Sequence, residues 1–149
     1  MNAFYLALLK IALIPAMVAL IMVLISHWGG WASLAGQYRS EQPFPGPVWK
    51  FQCGQFRWLA SYNNCLTVGA DAHGLFLGIL FPFRIAHPPL FIPWREISVT
   101  RRKVLWAKMV RFRLGTDLQV PLTIRESLAE KLQRAAGSSW PVEIASSSS

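Results

Sequence analysis

The feature that most limits how this chain can fold is an apolar run near its beginning. Residues 4–26 read FYLALLKIALIPAMVALIMVLIS, and Lys10 carries the only charge among these 23 residues. At about 1.5 Å per residue, a helix of this length spans ~34 Å, against a bilayer hydrocarbon core of about 30 Å. The long stem of Lys10 can reach the headgroups, and membrane helices tolerate a proline such as Pro15. The run therefore predicts a transmembrane helix.

The residues after this run predict a membrane-interface segment, so that the anchor and its interfacial part together occupy residues 1–39. Trp28, Trp31 and Tyr38 are of the aromatic types that collect at the level of the headgroups. The alternative is a cleaved signal peptide, with Ser33-Leu34-Ala35, small at its first and third positions, as the cleavage site. The apolar run is long for a signal peptide, and Lys10 is the only positive side chain near its start, which favours the retained helix.

Charges on the two sides of the run predict its orientation. Arg39 and Lys50 follow it, whereas the short leading segment offers only Lys10 and the amino terminus. Because short cytoplasmic segments carry an excess of Lys and Arg, we expect a cytoplasmic C-terminal domain. An exported, periplasmic domain is the alternative. Cys53 and Cys65 fit both, since two cysteines form a disulfide in an oxidising compartment and stay as buried thiols in a reducing one.

A Pro-rich segment marks the predicted domain boundary. Residues 40–47 read SEQPFPGP, and three prolines with one glycine predict a short, stiff, extended linker. A β-rich domain is then predicted at residues 48–137. Residues 138–149, which end in SSSS, are predicted to form a flexible tail.

Alternating apolar and polar residues dominate the predicted domain. The clearest hairpin is VRFRLGTDLQVPL, residues 110–122, with its turn at Gly-Thr-Asp. Gly54 predicts a bulge or tight bend, and residues 71–74 predict another hairpin turn, with Asp at its start and Gly at its end. In HPPLFIPW, residues 87–94, the paired prolines predict a rigid connection into an edge strand, and Trp94 a core position.

The periodicity changes to that of a helix near the C-terminus. Residues 123–137 read TIRESLAEKLQRAAG, with apolar residues at helical spacing, a capping-box pattern from Thr123 to Glu126, and Gly137 at the expected helix end. Six or seven short strands before one amphipathic helix predict an α+β domain, a mainly antiparallel sheet or partly open barrel that the helix closes. The N-terminal transmembrane helix completes the predicted fold class.

One segment carries a family resemblance. In GLFLGILFPFRIAHPPLFIPWREI, residues 74–97, a strand that begins with Gly74-Leu75 leads to Ile92-Pro93-Trp94 and then to Glu96-Ile97. With the closing helix, this order resembles bacterial pleckstrin-homology-like and GRAM-like domains, and the whole chain looks like small membrane-anchored bacterial proteins. The resemblance implies a scaffold that binds lipids, peptides or proteins without doing chemistry, in a chain of the bacterial inner membrane.

Motifs for catalysis are missing from the sequence. It contains no G-x-S-x-G, H-E-x-x-H, Walker-type or C-x-x-C pattern, and only seven acidic residues. We therefore expect a non-enzymatic protein without a cofactor. The alternative is a metal-dependent enzyme that uses Cys53, Cys65, His73 and His87. Successive members of this set are at least eight positions apart, unlike the close ligand pairs of structural zinc sites.

Positive charge is concentrated in one part of the sequence. Of the formal net charge of +8, residues 95–113 contribute +6, with Glu96 as the only acid. Cations near a bilayer attract anionic headgroups, so these residues are the predicted site for lipid or a protein partner, and a solvated basic face is the alternative. Nucleic acid is not expected of a membrane-tethered domain, although cations beside aromatic residues would suit it. The predicted site comprises Arg95, Arg101, Arg102, Lys103, Lys108, Arg111 and Arg113.

Overall fold

The protein consists of an N-terminal apolar helix, a curled mixed sheet that forms a half-barrel, and a C-terminal helix. The computed structural model describes residues 2–56, 60–80, 87–104 and 106–144. The terminal serines of the predicted tail, and residues 81–86 of the segment with the family resemblance, lie outside these ranges. The elements are α1 (Ala3–Gly29), α2 (Trp31–Tyr38), β1 (Val48–Phe56), β2 (Ala60–Ala70), β3 (Gly74–Ile79), β4 (Leu90–Pro93), β5 (Ile97–Val104), β6 (Ala107–Leu114), β7 (Val120–Arg125), α3 (Glu126–Ala136) and β8 (Glu143–Ile144).

The eight strands form one sheet in the order β4-β3-β2-β1-β7-β6-β5-β8. Neighbours are antiparallel except β5 and β8, which are parallel. One face of the sheet is apolar and buried, as the period-two patterns predict. α3 packs across β2, β6 and β7 over this face, so the core lies between the curled sheet and the helices.

β1 holds the two halves of the sheet together, because it pairs with β2 along its length and with β7 at its end. Its register with β2 shifts between Gln52 and Gly54, and beyond the shift Gln55 and Phe56 also pair with β7. A Cβ on Gly54 would lie 2.8 Å from Leu66 Cδ2 and 3.1 Å from Leu122 Cδ1. Any larger residue would have to displace these buried leucine side chains, and the register shift confirms the bulge or bend predicted at Gly54.

The hairpin of β6 and β7 confirms the clearest sequence prediction. Leu114 pairs with Val120, and Phe112 pairs with Leu122. These four side chains are fully buried. The arginines that alternate with them on β6 therefore lie on the opposite, outer face of the sheet.

The predicted C-terminal helix is confirmed, but it begins later than the capping-box pattern indicated. Thr123 lies in β7 and pairs with Arg111, and the helix starts at Glu126 without a side-chain cap. The alternation of Val120, Leu122 and Ile124 continues the strand up to that point, because each of these side chains fills the core face of the sheet. Gly137 ends the helix, as predicted.

α1 is one continuous helix through Pro15. The segment Ala3–Trp28 is long and apolar enough to cross a membrane, by length and composition. Most of its large apolar side chains are exposed, but Met22 and Ser26, near its C-terminal end, are buried against the rest of the protein. The apolar helix therefore ends in contact with the folded domain.

α2 belongs to the core of the domain, whereas the sequence placed Trp31 and Tyr38 at the membrane interface. Trp31 is 0% exposed. Its ring centroid lies 5.4 Å from that of Phe56 and 5.2 Å from that of His87, and its Nε1 donates to the Pro88 carbonyl oxygen at 3.0 Å. Aromatic residues suit an interface and a core equally, and here the apolar face of the sheet supplies a fully dry site.

The Pro-rich segment at residues 40–47, predicted as a linker, packs along the sheet. The Phe44 ring stacks on Phe76, with centroids 5.0 Å apart and planes 13° apart. Ser40 N donates to the Pro89 carbonyl oxygen at 2.8 Å, and Ala70 N donates to that of Pro47 at 3.3 Å. The segment is a strap over the outer face of β2 and β3, so the domain is not separated from α1 by a free tether.

Residues 138–144, which the sequence assigned to a flexible tail, also contact the domain. Trp140 packs against Trp94 and Phe112, with centroid distances of 5.3 Å and 5.7 Å. β8 then pairs with Val99 and Thr100 of β5. At the other end of the sheet, β4 is an edge strand and Trp94 is buried, both as predicted.

Replacing the two tryptophans that flank Gly30 distinguishes the core position from an interfacial one. We expect Trp31→Ala to lower the free energy of unfolding by about 3–5 kcal/mol, because it leaves a cavity among Phe56, Tyr62 and His87. Trp28, which is 59% exposed, provides the matched control. Trp28→Ala should change stability by about 0.5 kcal/mol or less. Chemical unfolding of the full chain in detergent micelles measures both, and equal losses would contradict the core position of Trp31.

Candidate functional site

The seven predicted binding residues fall in four different places. Arg102, Arg111 and Arg113 project from the outer face of β5 and β6, because they alternate with core residues. Lys103 and Lys108 pair across the end of the β5–β6 hairpin. The remaining two are Arg101, on the inner side of β5, and Arg95, exposed in the 3-10 turn Trp94–Glu96 that precedes β5.

Arg101 forms ion pairs with two acidic side chains of the same protein. Its Nη1 lies 3.1 Å from Glu126 Oε1, and its Nε lies 2.8 Å from Glu143 Oε2. Its Nη2 donates to Gln133 Oε1 at 3.1 Å. The hydrogen bond to Glu143 is the main cause that raises the pKa of Arg101. This guanidinium joins β5 to α3 and β8, so its charge is balanced within the fold.

On the outer face, the register of β5, β6 and β7 collects four arginines, which we call the outer arginine cluster. Arg111 pairs with Thr100 on one side and with Thr123 on the other. Arg102 and Arg125 both pair with Met109 in the next row. The outer arginine cluster consists of Arg102, Arg111, Arg113 and Arg125.

Arg125 was not among the residues predicted from the sequence. The capping-box interpretation placed it in the first turn of a helix, whereas it is the last residue of β7. The signal that could have found it is the alternation of Val120, Leu122 and Ile124, which places Arg125 on the polar face of a strand.

Arg111, at the centre of the outer arginine cluster, is partly buried and surrounded by other positive charges. Partial burial is the main cause that lowers its pKa, and the charges of Arg102 and Arg113 lower it further. Its Nε is buried and finds no hydrogen-bond acceptor within the described part of the chain. A buried donor without a partner costs about 1–3 kcal/mol, and like charges about 7 Å apart repel by ~0.6 kcal/mol even in bulk water.

No carboxylate balances the outer arginine cluster among the residues that the structure describes. All seven acidic residues lie in the described ranges, and both ion pairs found there belong to Arg101. The side chains directly beside Arg111 are the hydroxyl groups of Thr100 and Thr123. The arrangement is therefore a concentrated positive surface lined by hydrogen-bond donors, which suits an anionic ligand.

The end of the β5–β6 hairpin, which we call the hairpin tip, carries Lys103, Trp106 and Lys108. Trp106 is 91% exposed, and both lysines are exposed. An indole between two flexible cations suits the boundary between headgroups and acyl chains, because the ring is apolar and its N–H is polar.

A groove of about 910 Å³ runs between the strap and the β4 edge. Arg39, Glu41 and His73 line it together with Phe91 and Pro93 of β4. Arg39 forms a bridge with Leu90 at one end of β4, which leaves the rest of this edge strand facing the groove. The groove therefore offers an extended segment both polar side chains and a strand edge.

The two histidines considered for a metal site have protein contacts of their own. His73 belongs to the turn before β3, where Asp71 Oδ1 accepts from His73 N at 2.8 Å and from Gly74 N at 3.0 Å, as the predicted hairpin turn requires. His87 is buried and lies 2.7 Å from the Tyr62 hydroxyl oxygen. Cys53 and Cys65 are not joined by a disulfide. Within the described ranges, no three residues of the types His, Cys, Asp and Glu are grouped to hold a metal ion.

The comparisons with known proteins assign the chain to no family. No protein-family model matches the chain, and neither curated proteins nor solved structures give a match.

Substitutions at the adjacent Arg101 and Arg102 test the division between inner and outer cations. Arg101→Gln should lower the free energy of unfolding by about 1 kcal/mol, a modest value because the ion pairs are about one-third exposed. It should also speed hydrogen exchange at Trp140–Ile144. Arg102→Gln, the matched control, removes a repelling charge and should leave both unchanged or slightly improve stability. Equal effects of the two substitutions would contradict the division.

The same contact makes the attachment of β8 sensitive to acid. The hydrogen bond from Arg101 is the main cause that lowers the pKa of Glu143. A carboxylate with a lowered pKa contributes stability above its unfolded-state pKa, and this contribution disappears as the pH falls through the folded-state value. We therefore expect the protection factors at Trp140–Ile144, which compare each exchange rate with the intrinsic rate at the same pH, to fall on acidification in the wild type, and to fall less in Arg101→Gln.

Proposed function

We propose that this protein is a non-enzymatic, membrane-anchored accessory or scaffold protein of the bacterial inner membrane, whose pleckstrin-homology-like domain binds an anionic lipid surface, a protein partner, or both. The observation that carries the proposal is the direct packing of an apolar helix of membrane-spanning length onto a domain with unbalanced positive surfaces. The helix places the domain at a bilayer, and the surfaces provide the attraction to anionic headgroups.

The contact between anchor and domain supports retention of the N-terminal segment. A signal peptidase that cut at residues 33–35 would remove Trp31 from among Phe56, Tyr62 and His87. A mature domain without that side chain would expose part of its core to water. The apolar run therefore acts as an anchor in this proposal, rather than as a leader that is lost.

Two features of the domain support the pleckstrin-homology-like interpretation. Seven strands precede a C-terminal helix that packs over the open face of a curled sheet. Ile92 and Trp94, from the segment that carries the resemblance, are buried in that core. Such a domain binds through its surface, which agrees with a function in recognition rather than catalysis.

The hairpin tip supports docking on lipid, and the groove beside β4 supports a protein partner. Trp106 can enter the interfacial region while Lys103 and Lys108 contact headgroup phosphates. The groove would accept an extended peptide through the main chain of β4, with Arg39 and Glu41 available for polar contacts.

Hydrogen exchange of the full chain in nanodiscs tests the lipid-docking part of the proposal. We expect residues 101–104 and 106–110 to exchange more slowly when part of the phosphatidylcholine is replaced by phosphatidylglycerol, since anionic headgroups attract the hairpin tip. A Lys103→Glu/Lys108→Glu variant should lose this protection.

The matched control reverses two cations on α3. A Lys131→Glu/Arg134→Glu variant makes the same change in net charge on exposed positions of another element and should keep the protection of the hairpin tip. Exchange at the hairpin tip that is equal in neutral and anionic nanodiscs would refute the lipid-docking proposal.

A reporter of membrane topology, fused after Ser149, tests the proposed location. The excess of cations after the apolar run leads us to expect activity of a cytoplasmic reporter and none of a reporter that requires export. Extraction at alkaline pH should leave the fusion in the membrane pellet. The opposite reporter result would establish the periplasmic alternative.

A further inference from the structure

We infer that the outer arginine cluster is a binding site for a phosphomonoester group, centred on Arg111. This inference rests on the proposed function, because it names the headgroup chemistry that the domain would recognise. It goes beyond general attraction to an anionic surface, since it requires a particular side chain in a particular geometry.

The register brings the donors of three strands to one place. Arg113 lies two residues from Arg111 on β6, and Arg102 lies one diagonal step away on β5. Residues in these two relations are about 7–8 Å apart in a sheet. Guanidinium groups on side chains as long as arginine can converge above Arg111 from these positions. Thr100 and Thr123 add a hydroxyl group on each side. One anion would therefore meet donors from β5, β6 and β7.

The surroundings of Arg111 favour an anionic ligand. Its Nε is buried without an acceptor in the described ranges, and the residues paired directly with it are Thr100 and Thr123. Burial and the charges of Arg102 and Arg113 lower its pKa. An anionic oxygen seated between Arg111 and the threonines would supply the missing acceptor and turn the mutual repulsion of the arginines into attraction.

A phosphomonoester fits this donor set better than a phosphodiester does. It carries up to two negative charges and three terminal oxygens, which matches three guanidinium forks. The planar fork of arginine binds such oxygens in pairs, whereas the ammonium group of lysine acts as a point charge. The site should therefore depend on arginine geometry as well as on charge.

The experiment uses the full chain in phosphatidylcholine nanodiscs, with inorganic phosphate as the probe at constant ionic strength. Binding is followed by broadening of the phosphate ³¹P resonance. We expect Arg111→Lys to weaken binding by about tenfold or more, the loss of one bidentate contact at unchanged charge. Arg134→Lys, an exposed arginine on α3, is the matched control and should bind within about twofold of the wild type.

A second variant keeps the test independent of the stability of Arg111→Lys. Thr100→Val/Thr123→Val preserves the β-branched shape of both side chains and removes their hydroxyl groups. It should weaken phosphate binding by about three- to tenfold. Wild-type binding by both this variant and a folded Arg111→Lys would overturn the inference. So would chloride that, at matched ionic strength, removes the broadening of the phosphate ³¹P resonance as well as competition by excess phosphate itself does.

Nanodiscs of different composition distinguish the two sources of the group. If the ligand is a lipid headgroup, phosphatidic acid in the disc should prevent added inorganic phosphate from binding, and phosphatidylglycerol should not. If phosphate still binds in phosphatidic acid discs, the same site takes a soluble phosphomonoester. Equal blocking by both lipids would overturn the preference for a monoester.

Failure of this inference is distinguishable from failure of the proposed function. Arg111→Lys keeps its charge, so protection of the hairpin tip by phosphatidylglycerol should remain in that variant. Loss of that protection in the wild type would refute lipid docking, whereas wild-type phosphate binding by both Arg111→Lys and the double threonine variant would refute only the site described here.

Discussion

The burial of Trp31 fixes how the parts of this protein meet. Its indole contacts Phe56, Tyr62 and His87 at centroid distances of 5.2 to 5.9 Å, and it donates a hydrogen bond to the connection before β4. These partners come from β1, β2 and the entrance to β4, which are distant in sequence. Burying a tryptophan contributes roughly 4–6 kcal/mol at about 25 cal/mol per Å² of apolar surface. Since Trp31 follows α1 by one residue, the same contact determines where the apolar helix leaves the domain.

Because α1 is packed onto the domain, the orientation of the positive surfaces relative to α1 is restricted. On a flexible tether, a domain turns freely, and any cationic face can meet a neighbouring anionic surface. Here one face of α2, with Trp31 and Leu34, is buried, and Phe44 stacks on Phe76 to hold the strap to the sheet. The direction of each surface relative to the axis of α1 is therefore set by packing. If α1 spans a bilayer, orientation decides which cations reach lipid, and the local count of Lys and Arg does not decide it alone.

Local patterns predicted much of the fold, and contacts between distant residues account for the rest. The β6–β7 hairpin and α3 follow from periodicity, and Gly54 marks the bend in β1. α2 was missed because eight residues rich in aromatic and small side chains have the same composition at a membrane interface and in a core. Only the partners of Trp31, 25 or more residues away, distinguish the two, and no local pattern contains them.

For single residues of the candidate site, too, local sequence patterns did not identify the distant partners. Alternation predicts that Arg101 and Arg102 lie on opposite faces of β5, but it does not show which face holds carboxylates. Glu126 and Glu143, which pair with Arg101, are 25 and 42 residues further along the chain. The sequence therefore grouped one internally balanced cation with the unbalanced ones. It also placed Arg125 in a helix, because a capping-box pattern overlapped the end of a strand.

The outer arginine cluster is separable from the stability of the fold, because β5 and β6 are stabilised from their other face. Val99, Val110 and Phe112 are fully buried there, and Arg101 binds both of its acids on that side. The arginines on the outer face make no ion pair in the described part of the chain and repel one another. Folding alone would favour a neutral or mixed-charge surface at these positions. The requirements of the sheet therefore do not account for four arginines beside two threonines, and this unexplained charge is the basis of the proposed anion site.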